Sequence, residues 1–456
     1  MSLDIPHLPA EIHRLIATYV HREDLPHYRF ASKQLCVIGT QELFSTVVFH
    51  YSTASIERLK ELSASDRIRN CVKTIFWDDN RFKIFRVESM YEWKLHCDYR
   101  AGLNLLREHR TASQELYRPL YAQLSGNREE WEAYGNNVLD EKIARQAAEQ
   151  LEALECFQNL RSVHVVNGEL WPAHRGVRKV AHVLPHALPT PPVLRRGEGI
   201  ADFYSLPGIE AFKTIQRYCK SSLRKLKLDR VHPSAFVSSE LGDLHCLTSL
   251  DITIFGYSGD WRFQYGLTLG KLMENLEMFM ACLLQLESLK IGLGNGALTP
   301  TAPLASIHHV FHTETTWPKL QKLSLSGFSA TPDSLASLLV KHSSTLKDLR
   351  LRDISWEKDA SDAPEEKKKV PLRSIQQCAW PRVLQEIAKC LSLERSTASG
   401  TLGENGDVLG WQLDKDDELA ADVEKYLISG GQCPLTAYNA HFAIDNCELP
   451  PISVAS

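Results

Sequence analysis

LTSLDI, residues 247–252, decides the fold, because its pattern L-x-x-L-x-L recurs along the chain. Six segments share the pattern in apolar form: LRSVHV (160–165), LRKLKL (223–228), LTSLDI (247–252), LESLKI (286–291), LQKLSL (320–325) and LKDLRL (346–351). In an extended strand side chains alternate, so the last two apolar residues of each segment face inward and the residue between them faces outward. One such unit cannot bury its own apolar face. The recurrence therefore predicts stacked units in a solenoid.

The spacing of the units indicates one strand and one helix per repeat. From Leu226 to Leu349 the central leucines are 24, 39, 34 and 26 residues apart, whereas Val163 and Leu226 are 63 apart. The long first step predicts an insertion, which contains the Pro-rich stretch 182–199, interpreted as an exposed loop. Helical patterns at 267–285 and 331–344 lie between units. We therefore expect strands on the concave side of the solenoid and helices on the convex side.

A longer helical pattern precedes the first of these units. Residues 86–155 are mostly helical in pattern, and a stripe of apolar residues at helical spacing is predicted to pack in the core. The stripe comprises Trp131, Tyr134, Val138, Ile143, Ala147, Leu151, Leu154 and Phe157.

The composition is that of an ordinary folded protein. Of the 456 residues, 43% are hydrophobic. The chain has 52 Lys and Arg residues and 56 Asp and Glu residues, which gives a formal net charge of −4. This balance argues against a general polyanion binder, so we expect no nucleic-acid partner. The eleven cysteines form no C-x-x-C pair, the opening MSLDIPHLPAEIH lacks the features of a secretory signal, and no apolar run approaches the ~20 residues of a membrane span. We expect a reduced protein of the cytoplasm and/or nucleus, with no membrane partner.

The motifs of common enzymes are absent from the sequence. No G-x-S-x-G, H-E-x-x-H or P-loop occurs. Gly292, Gly294 and Ala297 match G-x-G-x-x-A, but LTPTAP follows at once and would break the helix that a dinucleotide site needs. His308 and His312 could share a helical face, yet surface histidines near a loop are the better interpretation. We expect no cofactor, no metal and no catalytic residue. An enzyme with an unrecognised site is a third, weaker alternative to the two functions set out below.

The first fifty residues are dense in helix signals. Asp24 is placed to cap a second helix, and ELFSTVVF (42–49) predicts a third helix that gives way to a strand. Pro9 lies in the first turn of the first helix, where its missing N–H costs nothing. One face of that first helix is apolar and consists of Leu8, Ile12, Leu15, Ile16 and Tyr19.

The same residues match a family pattern. LP-x-E-I at 8–12, I-x-x-Y at 16–19 and D-L-x-x-Y-x-F-A-S-K at 24–33 resemble the F-box, in the form common in fungal F-box proteins with leucine-rich repeats. The segments SIERLKELS (55–63) and VKTIFW (72–77) are similar to the usual continuation in that family. The sequence departs from the pattern at Ala31, where valine is usual, and after Lys33, where an aromatic residue is missing.

This resemblance implies both a fold and a function. The fold would be of the α/β class: an N-terminal three-helix F-box followed by an irregular leucine-rich-repeat solenoid with a helical insertion. The function would be non-catalytic, as the substrate-recognition subunit of an SCF-type cullin–RING ubiquitin ligase. The F-box would dock on a Skp-type linker subunit, and through it on a cullin, while the repeats bind a protein substrate. The positions that match the usual Skp-facing set are Leu8, Pro9, Ile12, Ile16 and Leu25.

The resemblance leaves two points open. Tyr28 and Phe30 either face the Skp-type subunit or serve packing inside the box. A different function is a leucine-rich protein-interaction scaffold without a ligase, with the N-terminal helices as an ordinary cap on the first repeat. The ligase interpretation predicts that Leu8, Ile12 and Leu25 are exposed in the free chain, since a cap would not need to expose them.

The outward positions of the strands predict where a substrate binds. In order along the chain they are His164, Lys227, Asp251, Lys290, Ser324 and Arg350, and the next outward positions add Arg352 and Asp229. Basic residues outnumber acidic ones in this set, which favours an acidic or phosphorylated substrate segment. The alternatives are a solvated strand face without a ligand, or recognition by the loop 182–199.

The resulting domain organisation has five parts. They are the F-box (1–50), a linker with a first strand and a helical segment (51–156), the repeats (157–356), a charged loop (357–380) and a C-terminal cap (381–456).

Overall fold

The structure is a computed structural model of the 456-residue chain. It describes residues 8–21, 24–79, 128–148, 151–166, 208–219, 222–231, 233–236, 244–255, 269–294, 306–311, 316–356, 379–404, 409–436 and 441–442. The loop 182–199, residues 357–378 of the charged loop, Ala297 and His312 lie outside these ranges. The chain forms two compact units, Met1–Ser222 and Leu223–Ser456.

The first unit begins with three helices, as predicted from the sequence. They are α1 (Ala10–Tyr19), α2 (Leu25–Phe30) and α3 (Lys33–Leu43), and α3 packs against both of the others. Pro9 occupies the N-cap of α1. The α3 N-cap is Ser32, whose Oγ accepts a hydrogen bond from the Leu35 backbone N–H at 3.1 Å. Asp24 precedes α2 without making a side-chain cap bond.

A three-stranded parallel sheet follows in the first unit. Its strands are β1 (Thr46–His50), β2 (Thr74–Asp78) and β3 (Ser162–Val166), with α4 (Thr53–Ala64) and the short α5 (Asp66–Arg69) between the first two. Val47, Ile75 and Val163 are neighbours in register and are buried. The strand predicted at LRSVHV therefore pairs parallel with β2, which in turn pairs with β1, and neither β1 nor β2 has the leucine pattern.

The helical insertion of the first unit contains α6 (Arg128–Ala148) and α7 (Ile209–Tyr218). The predicted core stripe is only partly confirmed, since Leu151, Leu154 and Phe157 are buried but Ile143 and Ala147 are exposed. The reason is that α6 buries a different face. That face carries Glu141, Ala144 and Ala148. The side chains of Trp131, Tyr134 and Val138 lie outside the described part of the chain.

The second unit is an open, mostly parallel sheet with helices between its strands. The parallel strands are β4 (Lys225–Val231), β5 (Ser249–Phe255), β6 (Ser288–Gly294), β7 (Lys322–Ser326), β8 (Ser329–Ala330), β9 (Asp348–Trp356) and β10 (Arg395–Glu404). The helices are α8 (Leu269–Ala281), α9 (Pro332–Lys341), α10 (Ala379–Cys390) and α11 (Asp417–Ser429). Two antiparallel strands, β11 (Leu409–Gln412) and β12 (His441–Phe442), complete the sheet. Helix α10 packs against both α9 and α11.

The predicted leucine ladder is confirmed in this unit. Leu226, Leu250, Leu289, Leu323 and Leu349 are direct neighbours on successive strands, and each is fully buried. The next inward position forms a second buried row beside the first. Its members are Leu228, Ile252, Ile291, Leu325 and Leu351. Each unit of the pattern therefore contributes two side chains to one continuous core.

At the starts of β5, β6, β7, β9 and β10, two backbone N–H groups donate to a carbonyl oxygen that lies just before the neighbouring strand begins. The Glu287 carbonyl oxygen accepts the backbone N–H groups of Gln321 and Lys322 at 2.8 and 3.0 Å. The carbonyl oxygens of Arg224, Thr248, Gln321 and Lys347 each accept two successive backbone N–H groups in the same way. These backbone donors at the amino edge of the sheet are thus used inside the sheet, and a ligand there would have to be recognised by side chains.

Strands β10 to β12 were not predicted from the sequence, which indicated only a C-terminal cap. Strand β10 pairs parallel with β9, but its register shifts between Ser399 and Leu402. Gly400 lies in this shift with φ +69°, where a side chain would overlap the Asp353 carboxylate. Asp353 in turn accepts the Thr401 backbone N–H at 3.0 Å. A glycine is therefore required where the last parallel strand bends.

A buried histidine joins α9 to the turn before β7. His342, the C-cap of α9, lies against the Leu338 carbonyl oxygen through Nδ1 at 2.8 Å. Its Nε2 accepts the Trp317 backbone N–H at 3.1 Å, and the two rings stack. This arrangement needs a neutral ring with its proton on Nδ1. Burial, with a smaller contribution from Lys341, lowers the pKa of His342.

We expect this histidine to make folding sensitive to acid. Because its folded pKa lies below the unfolded value of about 6.5, its contribution is fully present above that value and is lost as the pH falls through the lower folded pKa. The free energy of unfolding should therefore fall between pH 7.5 and pH 5. Urea titrations at several pH values should show a weaker fall for His342→Gln, whose amide can still accept the Trp317 N–H. An equally steep fall in that variant would assign the acid sensitivity to other groups.

Candidate protein-docking surfaces

The apolar face of α1 is open to solvent. Its five members are between 38% and 71% exposed, although a face of this kind on an ordinary helix would be buried. They are Ile12, Leu15, Ile16 and Tyr19 within the helix, together with Leu8 just before it. Ala17, on the opposite side, is the buried residue that holds α1 to the rest of the unit. The prediction that Leu8 and Ile12 are exposed in the free chain is confirmed.

The corresponding prediction for Leu25 is wrong. Leu25 is 3% exposed, at the first position of α2, where its backbone N–H donates to the His21 carbonyl oxygen at 3.1 Å. The helical pattern alone did not show that this leucine belongs to the internal contact of the three helices. In the free chain it supports the surface and does not form part of it.

The structure separates the roles of the two aromatic residues on α2. The Tyr28 hydroxyl donates to the His13 carbonyl oxygen at 3.2 Å, so this side chain ties α2 to α1. Phe30 is 87% exposed and points away from the packing of the helices. Val37 on α3 is also exposed. The three-helix segment therefore presents apolar side chains from each of its helices.

The outward strand positions lie where the sequence analysis placed them. Lys227, Asp251, Lys290, Ser324 and Arg350 are successive neighbours across β4 to β9. His164 belongs to the other unit, where its ring lies against Phe76 and its Nε2 is 2.9 Å from Ser162 Oγ. The second unit thus carries one polar row on the face opposite to the leucines.

Carboxylates compensate most of the positive charge on this strand face. Asp251 Oδ2 lies 3.5 Å from Lys227 Nζ and 3.4 Å from Lys290 Nζ. Arg350 forms two hydrogen bonds to Asp348, which raise the pKa of its guanidinium. Asp348, which lies two residues before Arg350 on the same face of β9, was not among the predicted positions.

Carboxylates also compensate the charge of Arg352, at the end of the row. Its guanidinium lies 3.3 Å from Asp353 and 3.5 Å from Asp414, which comes from the turn before α11. Each predicted cation of the second unit's strand face therefore already has an acidic neighbour, which weakens its attraction for a further anion.

A cavity of about 710 Å³ lies elsewhere on the second unit, at the amino edge of β6, β7, β9 and β10. This cavity was not predicted from the sequence, because its lining residues come from the starts of four separate strands and the turns before them. Its cationic side chains are Lys319, Lys322, Lys347 and Arg395, and its acidic ones are Glu287, Asp348 and Glu394. Gln321, Ser344 and Thr345 add neutral hydrogen-bonding groups.

A buried ionic cluster was also missed, in the first unit. The Arg145 guanidinium on α6 contacts Glu141 at 2.6 Å, Glu210 at 2.8 Å and Asp79 at 3.1 Å. It lies 3.7 Å from the centre of the Tyr51 ring. The other Asp79 carboxylate oxygen accepts the Gly208 backbone N–H at 2.7 Å. These carboxylates raise the pKa of Arg145 against the opposing effect of burial, which is the largest single influence.

Comparison with known proteins does not assign the chain to a family. No family model matches it, and no curated protein is significantly similar to it. Among the described residues, no group of His, Cys, Asp and Glu side chains is placed to bind a metal ion. No helix in the same part of the chain is long and apolar enough to cross a membrane.

Proposed function

We propose that this protein is the substrate-recognition subunit of an SCF-type cullin–RING ubiquitin ligase. Its three N-terminal helices would dock on a Skp-type linker subunit, and its second unit would hold a protein substrate. The single observation that carries the proposal is the solvent-exposed apolar face of α1, within a segment whose sequence resembles the F-box.

An apolar helix face that stays in water gives up the stability that its burial would provide. Five apolar side chains at helical spacing would stabilise the fold if they were turned inward, at about 1.5–3 kcal/mol for each that is fully buried. In the free chain they are left in water, although Ala17 and Leu25 show that the same helices also supply internal contacts. Contiguous exposed apolar side chains of this kind mark protein interaction sites. Docking of apolar helical anchors into a groove is a common mode of protein recognition.

The second unit supports the receptor half of the proposal. Its strands carry two continuous buried rows from L-x-x-L-x-L segments, and helices lie between several of the strands. We interpret this arrangement as an irregular leucine-rich-repeat solenoid, a class that binds partners over extended surfaces. The proposed substrate is a protein segment. No step of the proposed function requires a cofactor.

The docking half can be tested on the full chain. We expect the double variant Leu8→Ala, Ile12→Ala to bind a purified Skp-type subunit at least tenfold more weakly, which corresponds to about 1.4 kcal/mol. Calorimetric titration would measure the dissociation constant. Both side chains are exposed, so the unfolding midpoint should not change.

A matched control lies on the same helix. Glu11 and Arg14 are exposed and form only a 3.7 Å surface ion pair, so Glu11→Ala, Arg14→Ala should bind like the parent chain. If the Leu8 and Ile12 variant also binds like the parent, the ligase proposal fails. The chain would then be better described as a leucine-rich interaction scaffold whose N-terminal helices are a cap.

A further inference from the structure

The cavity at the amino edge of β6, β7, β9 and β10, here called the edge groove, differs from the strand face in its charge pairing. Lys322 and Arg395 line it, and neither side chain makes an ion pair or hydrogen bond in the part of the chain that the structure describes. On the strand face, by contrast, Lys227 and Lys290 share Asp251. Lys322 and Arg395 therefore leave positive charge open to a ligand in the edge groove.

Most of the other charged groups of the groove already have a partner, either inside the groove or next to it. Asp348 is held by Arg350 from the strand face. Glu394 lies 4.0 Å from Lys347 in a solvent-exposed pair, which binds weakly and can open. Lys319 Nζ donates to Gln285 Oε1 at 2.6 Å and still lines the groove. Glu287 lies before β6, three strands away from Arg395 before β10. An anion is thus favoured toward the β7 to β10 end.

The dimensions of the groove fit an extended peptide. Four neighbouring strand starts at about 4.8 Å spacing span about 14 Å, which is the length of roughly four residues of extended chain. A volume of about 710 Å³ falls in the range of ligand pockets, about 300–1,000 Å³. The backbone donors of this edge are already used between strands, so side chains must supply the recognition. Lysine and arginine beside Ser344 and Gln321 suit oxygen anions on a peptide.

We propose that the edge groove binds a short extended protein segment that carries acidic or phosphorylated side chains, with Lys322 and Arg395 as its principal contacts. The inference rests on the proposed function for the biological role of the segment, which would belong to the substrate. The binding itself involves only the second unit and needs no Skp-type subunit. The docking experiment with the Skp-type subunit and the peptide-binding experiment described next can therefore fail independently of each other.

The experiment uses the full chain and three fluorescein-labelled peptides: alternating glutamate and serine, the same peptide with phosphoserine, and the same peptide with glutamine in place of glutamate. Fluorescence anisotropy should show binding of the first or second peptide and little binding of the third. Lys322→Glu, Arg395→Glu should weaken that binding at least tenfold, and the binding of the parent chain should fall as salt is added. Tighter binding of the phosphorylated peptide would identify phosphate as the anion, and equal binding would identify the carboxylates.

The strand face provides a control with the same change in net charge. Lys227→Glu, Lys290→Glu should leave peptide binding within about threefold of the parent, because those lysines lie outside the lining of the groove and share Asp251. The milder Lys322→Gln, Arg395→Gln should give an intermediate loss, with an unchanged unfolding midpoint for all variants. The proposal is overturned if no peptide binds, or if the strand-face reversal abolishes binding while the groove reversal does not.

Discussion

Replacing Arg145 with alanine is expected to lower the free energy of unfolding by about 3–5 kcal/mol, because it leaves buried carboxylates without their cation. The Arg145 side chain is 11% exposed and the Asp79 side chain is fully buried. Glu141 and Glu210 contact the same guanidinium, so three acidic groups share this cation. The loss should appear as a lower midpoint in urea unfolding, and as faster amide hydrogen exchange in β2 and α6.

Two further variants make this expectation specific. Lys142→Ala, on the exposed side of the same helix, should change stability by less than about 0.5 kcal/mol. Arg145→Lys keeps the charge but loses the planar fork that reaches several carboxylates at once, so it should fall between the parent and Arg145→Ala. An Arg145→Ala chain with the parent's unfolding midpoint would show that the cluster does not stabilise the first unit.

Replacing Leu323 with alanine is expected to cost about 2–5 kcal/mol in the second unit. Leu323 is fully buried between Leu289 on β6 and Leu349 on β9, within the leucine row. The loss combines the transfer of the missing methyl groups with a cavity that neighbours on both sides cannot fill, since they are fixed by the strand register. Chemical denaturation followed by circular dichroism would measure it.

The neighbouring outward position supplies the control for this prediction. Ser324→Ala removes only a half-buried hydroxyl from the opposite face of the same strand, and its effect should stay near zero. Similar unfolding curves for Leu323→Ala and the parent would contradict the continuous core of the second unit, and with it the leucine-rich-repeat interpretation.

The periodic parts of the fold could be predicted from the sequence. The rows through Leu250 and Ile252 follow from side-chain alternation in a repeated pattern, so the inward and outward positions of each strand were known before the structure. Helix α9 was also predicted, from the helical pattern at 331–344, and the structure adds a capping box of Thr331 and Ser334 at its start. Such features depend on residues close together in the chain.

The features that were missed depend on residues far apart in the chain. Arg145 meets Asp79 and Glu210 across 66 and 65 residues, and helical spacing placed Ile143 on the inward face instead. Strand β10 has the sequence RSTASGTLGE, in which Ser396 and Ala398 replace the inward leucines. The pattern therefore stops one strand before the parallel sheet does. Burial of Leu25 is a third case, since only the packing of α2 on α3 distinguishes it from the exposed residues of α1.

The pairing of each strand with the one before it in the chain has a consequence for synthesis on the ribosome. From β4 to β7 every new strand finds its partner already made, and its first two amide groups bond to a carbonyl oxygen of the preceding turn. The central leucines of these strands are 24 to 39 residues apart, which takes roughly 1–8 s at elongation rates of about 5–20 residues per second. Loop closure over such distances takes a small fraction of that time. The sheet can therefore grow strand by strand as the chain emerges, with an unpaired edge exposed only until the following strand arrives.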